Sequence, residues 1–176
     1  ASAVLNATDR TSRGRISDSR WGLYDVTLAE AYRHALELHK RDEQLEIVEG
    51  IYREIIRLDT RHADATYKLG VLLRQTGRHE QALVMLERAI ELDPLRPGAY
   101  FHKSTALLDL ERKEEAVAPL CKTIELRPDF GEAHLNLGAV YERLGRLDEA
   151  LPECRQAVAL LPRDAQAHRG QPGQVG

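Results

Sequence analysis

Apolar residues fall at helical spacing along most of this chain, and they do so in paired segments. The stretch LGVLLRQTGRHEQAL, from Leu69 to Leu83, and the stretch LGAVYERLGRLDEAL, from Leu137 to Leu151, match at Leu, Gly, Gly, Arg, Ala and Leu in the same order. They lie 68 residues apart, twice 34. With Ala63 as position 1 of a 34-residue unit, further units start at Pro97 and Gly131. Position 8 then reads Gly70, Ser104, Gly138; position 20 reads Ala82, Ala116, Ala150; position 30 reads Leu92, Leu126, Leu160; position 32 reads Pro94, Pro128, Pro162. Each unit carries two apolar-periodic segments, split near position 15 by Gly77, Glu111 or Gly145, and this predicts a pair of helices joined by a tight turn. The proline at position 32 biases its predecessor away from the helical region and stops the second helix. The predicted hairpins occupy residues 63–96, 97–130 and 131–164.

A glycine in the middle of a helix costs about 1 kcal/mol relative to alanine. Gly70 therefore implies a close crossing of the two helices, which the small position-20 residue Ala82 is expected to complete. Upstream, residues 27–62 form a degenerate fourth hairpin. Thr27 and Glu30 make a T-x-x-E capping box, so its first helix is expected over Leu28 to Lys40 and its second from Glu43 to Leu58. Leu36 at position 8 and Val48 at position 20 depart from the pattern, so this pair should pack more widely. Pro119 and Pro152, early in the last two second helices, should curve them slightly. Residues 1–26 show little periodicity and are expected to form a flexible or extended arm with no strands, on which Trp21, Leu23 and Tyr24 could cover the first hairpin. Residues 165–176 start an incomplete repeat or tail, because Gln171 and Pro172 stand where a further helix needs an apolar and a small residue. The last second helix, ending near Leu161, then has no following repeat, and Leu151, Val158 and Leu161 are expected to form an interface for self-association or a larger assembly at this end.

This period and residue set resemble the tetratricopeptide repeat (TPR), over residues 63–164 in three full units. The resemblance implies an all-α fold, a right-handed α-solenoid of about four helix hairpins. It also implies a partner-binding groove on the concave face, lined by first helices. At position 5 stand Arg33, Tyr67, Phe101 and Leu135, and at position 9 Glu37, Val71, Thr105 and Ala139. Tyr67, Val71, Phe101 and Leu135 would form an apolar stripe, beside Thr105 and Asn136 and bordered by Arg33, Lys68, His102 and Arg143. That border suits an acidic or C-terminal segment of another protein. The carboxylate clamp of the chaperone-binding subclass needs Lys and Asn where Tyr67 and Val71 stand, so that subclass is disfavoured. The asparagine ladder of O-linked N-acetylglucosamine transferases finds one match, Asn136, among His34, Lys68, His102 and Asn136. The stretch IYREIIRLDTRHADATYKLGVLL nevertheless resembles repeat regions that precede glycosyltransferase and other catalytic domains in bacterial proteins.

Composition narrows the function classes. The net charge is −3, without the basic excess of a phosphate-backbone binder, so nucleic acid is not the expected partner. Aromatic residues make up 5%, so the core must be aliphatic and alanine-rich. No apolar run reaches the roughly 18 residues of a membrane span. The chain opens without Met or a signal-peptide apolar region, which is expected of a processed form or a fragment. Asn6 sits in a sequon, N-A-T, of a kind common by chance. Cys121 and Cys154 fit no zinc or CxxC spacing and are expected as free thiols, with the cytoplasm as compartment. No phosphate loop, nucleophile elbow or HExxH occurs. Glu30, His34 and Glu37 share a helix face, but no second element supplies further ligands, so no metal, cofactor or catalytic residue is expected. The expected function is a non-catalytic protein-interaction scaffold or adaptor. The rival readings are a recruiting or regulatory region of a larger enzyme, such as an O-linked glycosyltransferase, and a structural subunit of an assembly.

Overall fold

The computed structural model describes residues 15–18 and 23–161. The expectations placed on Asn6, Trp21 and the segment 165–176 lie outside the described residues, as do the side chains of Leu23 and Tyr24. The chain divides at Leu95–Arg96 into two compact units, and the expected four helix hairpins are present, two in each.

The first unit opens with two strands, β1 (Arg15–Asp18) and β2 (Leu23–Thr27), paired antiparallel with Ile16 opposite Val26 and a bulge between Ile16 and Asp18. This corrects the expectation of an arm without strands. LYDVT is rich in aromatic and β-branched residues that favour a pleated surface, and Ile16 is buried at 2% exposure. The second strand runs directly into the capping box. Thr27 holds an extended backbone, its Oγ1 accepts from Glu30 N–H at 3.3 Å, and Glu30 Oε2 accepts from Thr27 N–H at 2.8 Å. Helix α1 (Leu28–Lys40) starts there, as the sequence predicts. Helices α2 (Leu45–Leu58), α3 (Ala63–Gln75) and α4 (His79–Leu92) complete the unit.

The start of α2 falls two residues later than expected because Asp42 and Gln44 both adopt left-handed backbone, with φ of 58° and 49°. The α1–α2 turn thus spans residues 41–44, whereas the other three turns span 76–78, 110–112 and 144–146. In those three, position 15 is left-handed: Gly77 at φ 77°, Glu111 at 59° and Gly145 at 72°. The chain then doubles back through a hydrogen bond of 2.8 Å from the N–H of Arg78, Arg112 or Arg146 to the carbonyl of Leu73, Leu107 or Tyr141. Two turns meet the left-handed requirement with glycine, and the third imposes it on a glutamate.

The second unit holds α5 (Pro97–Asp109), α6 (Lys113–Leu126), α7 (Gly131–Arg143) and α8 (Leu147–Leu160). Pro119 and Pro152 lie inside α6 and α8 without breaking them. The four hairpins share a feature that the sequence reading passed over: position 3 is alanine throughout, and Ala31, Ala65, Ala99 and Ala133 are all at 0% exposure. The partner of the position-8 glycines also differs from expectation. A Cβ on Gly70 would lie 2.8 Å from Leu86 Cγ, and one on Gly138 would lie 2.7 Å from Cys154 Sγ. The close approach is therefore to position 24, not to Ala82. Ser104, which replaces glycine in the second full repeat, is buried and donates its hydroxyl to the Phe101 carbonyl at 2.7 Å. In the first hairpin, where Leu36 stands at position 8, α1 and α2 pack less closely than the helices of the other three.

Candidate functional site

In the first unit, α1 and α3 lie side by side and leave a cleft of about 230 Å³ between them. Its apolar surface comes from Leu36 and Val71, and its polar surface from His39, Lys40, Lys68 and Gln75. Val71 is only 8% exposed and serves as floor rather than as an open stripe. His39 ties the walls together. Its Nδ1 lies 3.2 Å from the Tyr52 hydroxyl and its Nε2 lies 2.7 Å from Gln75 Oε1. Nε2–H can donate to the amide oxygen while Nδ1 accepts from the phenol, so the imidazole is satisfied by α2 and α3 at once. Burial pushes the Tyr52 hydroxyl well above the ordinary tyrosine range, so it remains a neutral donor. At the rim, Lys40 pairs with Glu37 at 2.9 Å, and the Lys68 ammonium sits 5.5 Å from the centre of the half-buried Tyr67 ring. Arg33 is exposed on α1 and does not line the cleft.

In the second unit, Phe101 is half-buried rather than free. Its ring centre lies 4.7 Å from that of Phe130 and 5.6 Å from that of His102, which meets it edge-on. The Arg127 guanidinium covers Phe130 at 3.6 Å. Both phenylalanines pack on the core formed by Leu120, Ala133, Leu137 and Val140. Thr105 is half-buried, with its hydroxyl donated to the His102 carbonyl at 2.9 Å. On α7, Leu135 is 47% exposed, Asn136 is half-buried and Arg143 is exposed. The expected stripe is thus graded. Leu135 faces solvent, Tyr67 does so in part, and Phe101 and Val71 belong largely to the packing.

At the last helix, Leu151 and Val158 are exposed at 57% and 77%, with Leu147 at 59% beside them. Leu161 is placed differently. It is half-buried, and its Cδ2 would lie 2.9 Å from a Cβ on Gly131, so it closes its own hairpin. Cys121 and Cys154 are free thiols. Glu30 is engaged by the capping box and Glu37 by Lys40. Among the described residues no group of three or more His, Cys, Asp or Glu side chains could hold a metal ion. No helix among them is long and apolar enough to cross a membrane.

The sequence reading missed Leu36, His39, Lys40 and Gln75 as parts of one cleft, and Phe130 as the partner of Phe101. Lys40 and Gln75 stand at positions 12 and 13 of first helices, the helices that the TPR resemblance places along the groove, and that could have flagged them.

Comparison with known proteins bears on the fold and the family. Residues 49–169 match the family described as the ETO1 C-terminal domain. Anaphase-promoting complex subunit 3 of Schizosaccharomyces pombe is 36% identical over 70 residues, which is 40% of this chain and 10% of that protein. The chain thus spans about a tenth of the length of the curated relative it matches. Among solved structures, the crystal structure of MamA superposes with a TM-score of 0.71 at 23% identity, covering 75% of this chain and 77% of that one. MamA from Desulfovibrio magneticus RS-1, from residue 41 to its end, gives a TM-score of 0.69 at 20% identity, covering 76% and 75%. The repeat pattern and these likenesses make the chain an all-α TPR protein.

Proposed function

The chain belongs to the ETO1 C-terminal domain family, and from that premise we propose that it is a non-catalytic scaffold whose α1/α3 cleft holds a segment of a partner protein. The observation that carries this reading is the cleft itself. It combines an apolar floor, Leu36 and Val71, with two ammonium groups and a preorganised His39–Gln75 pair at its walls. A segment with one apolar side chain and a neighbouring carboxylate or backbone carbonyl meets complementary groups there. Because His39 is held from two sides, little ordering accompanies binding, which favours affinity.

The test is affinity capture of partners by the whole chain, followed by titration of a captured partner against the Lys40→Glu/Lys68→Glu double variant. Reversal of both charges should weaken binding about thirtyfold, the loss expected when about 2 kcal/mol of a binding hot spot is removed. Helicity should stay unchanged. Undiminished binding by the folded double variant would refute the cleft as the site. A second reading, a structural subunit of an assembly, draws on the exposed Leu147, Leu151 and Val158 of α8 and on a relative that is named as a subunit of a complex. Loss of a partner by Val158→Arg, but not by the lysine variant, would favour it.

A further inference from the structure

The first unit carries another depression, away from the cleft. Helices α2 and α4 both pack on α3 and leave a groove between them. One part, of about 410 Å³, has Ile56, Leu69 and Met85 as its apolar surface and Arg53, Arg57 and Arg88 around it. A second part, of about 250 Å³, continues from Arg53 and Met85 to Leu73 and Val84, and Val84 is 58% exposed. At 100° per residue, Leu69 and Leu73 point about 150° away from the centre of the face that Lys68, Val71 and Gln75 present to the cleft. The groove and the cleft therefore occupy opposite sides of α3.

We propose that this groove is a second docking surface, which takes an acidic amphipathic segment of a partner: apolar side chains on the floor, carboxylates on the arginines. The lining supports that occupant. No Asp or Glu lines either part of the groove among the described residues, so the charged groups that line the apolar floor are guanidiniums. Guanidinium groups bind carboxylates in a planar, two-pronged geometry. Arg53 and Arg57 pair with Glu49 and Glu54 on their own helix, but their side chains stay 52% and 67% exposed, and a guanidinium has five N–H donors, so each can also meet a ligand's carboxylate. Arg88 donates to the Thr60 carbonyl, at 2.9 Å, which steadies it across the α2–α3 turn.

The arginine cluster is also not a requirement of the repeat. At the positions of Arg53 and Arg57, α4 has Glu87 and Glu91, α6 has Cys121 and Glu125, and α8 has Arg155 and Ala159. The hairpins fold equally with the opposite charge there. A single-stranded nucleic acid fits less well, because among the described residues no aromatic ring lines the groove to stack on a base. Met85, flexible and polarisable, suits a surface that adapts to a ligand's side chains.

Met85 is also the single methionine in the sequence, so ¹³C-methyl methionine labelling places one reporter in the groove. The probes are three synthetic peptides of about five helical turns, with leucines at helical spacing and the remaining positions Glu, Gln or Lys. The Glu peptide should shift the Met85 methyl resonance in a saturable titration, and the Gln peptide should bind about tenfold more weakly. The Arg57→Gln/Arg88→Gln variant should lose about tenfold in affinity for the Glu peptide, with its circular dichroism unchanged. The Lys40→Glu/Lys68→Glu variant should titrate as wild type, which keeps this test separate from that of the cleft. Four results would overturn the proposal: no shift with the Glu peptide, an equal response to the Gln or Lys peptide, an arginine variant that binds as wild type, or a Met85 shift that follows protein concentration alone. The last would assign the groove to a second copy of the chain.

Discussion

A methyl group added at Gly70 tests the central packing claim. A Cβ there would lie 2.8 Å from Leu86 Cγ, 3.0 Å from its Cδ2 and 3.3 Å from its backbone nitrogen. Carbon–carbon contacts are comfortable at about 3.5–4.0 Å, so Leu86 would have to retreat by about 1 Å. It is at 0% exposure and has no free space to enter, so either its rotamer is strained or α3 and α4 separate. Overpacking of this kind costs about 1–3 kcal/mol, while replacing a mid-helix glycine by alanine returns about 1 kcal/mol. Gly70→Ala alone should therefore destabilise by about 0–2 kcal/mol, too broad a range to be decisive. The decisive measurement is a double-mutant cycle. Leu86→Ala should cost about 2–5 kcal/mol through lost burial and a cavity. In that background Gly70→Ala should become stabilising by up to about 1 kcal/mol, because the two shortest contacts, to the side chain, are gone and the propensity gain remains. Urea denaturation of the four proteins, followed by far-ultraviolet circular dichroism, gives the coupling, expected at about 1–3 kcal/mol. If Gly70→Ala has the same effect in both backgrounds, the close approach to Leu86 is not the reason for the glycine.

The turns give a paired prediction: Gly77→Ala, forced into left-handed backbone, should destabilise by about 1–2 kcal/mol, whereas Glu111→Gly should raise the melting temperature because it relieves the same requirement. Equal melting temperatures across the set would refute it. His134 is 6% exposed, with Nδ1 2.6 Å from Glu153 Oε2 and Nε2 3.0 Å from the Pro128 carbonyl. His134→Ala should cost about 1.5–3 kcal/mol by stranding a carboxylate and a carbonyl, and a melting temperature equal to wild type would show the pairing to be idle. Glu49 accepts from Arg78 Nη1 at 2.9 Å, tying α2 to the start of α4. The hydrogen bond from Arg78 holds its carboxyl below the ordinary 4.5, against burial and with help from Arg53. A lowered folded value means that this contribution is complete above pH 4.5 and is lost as pH falls below it. Glu49→Gln should accordingly be less stable at neutral pH and lose less on acidification than wild type. Parallel pH–stability curves for the two would refute this.

Most of the fold was legible because the residues that build a hairpin recur within every unit. Position 32 and the glycines near 15 marked where helices stop and turn, and α1 and the three later hairpins lie close to where the pattern puts them. The departures have local causes. The strands at Arg15–Asp18 and Leu23–Thr27 lie outside the period, where a five-residue β-rich run gives no helical signal to weigh against. The late start of α2 follows from two non-glycine residues, Asp42 and Gln44, in left-handed backbone, which residue type alone does not announce. Gly70 signalled a close approach correctly, yet the glycine cannot say which residue approaches. Position 24 recurs as Tyr52, Leu86, Leu120 and Cys154, but its recurrence does not announce that it is the residue that meets position 8.

The candidate sites were less legible for the converse reason: they are made by residues in which the repeats differ. Position 5 illustrates it. Tyr67 and Phe101 look equivalent along the sequence, but Phe101 meets Phe130 at 4.7 Å, an aromatic partner supplied by position 34 of its own repeat, where the other units have His62, Arg96 and Asp164. A side chain held in that way is part of the core, and truncating it lowers stability before it can report on binding. Phe101→Ala is therefore a poor probe of a partner site, and Lys68, at the rim of a formed cleft, is a better one. The same logic marks the arginines of the α2/α4 groove. A charge that the fold required would recur in every unit, and the position of Arg57 reads Glu91, Glu125 and Ala159 in the units that follow. In a chain whose scaffold is periodic, the departures from the period carry the information about what it binds.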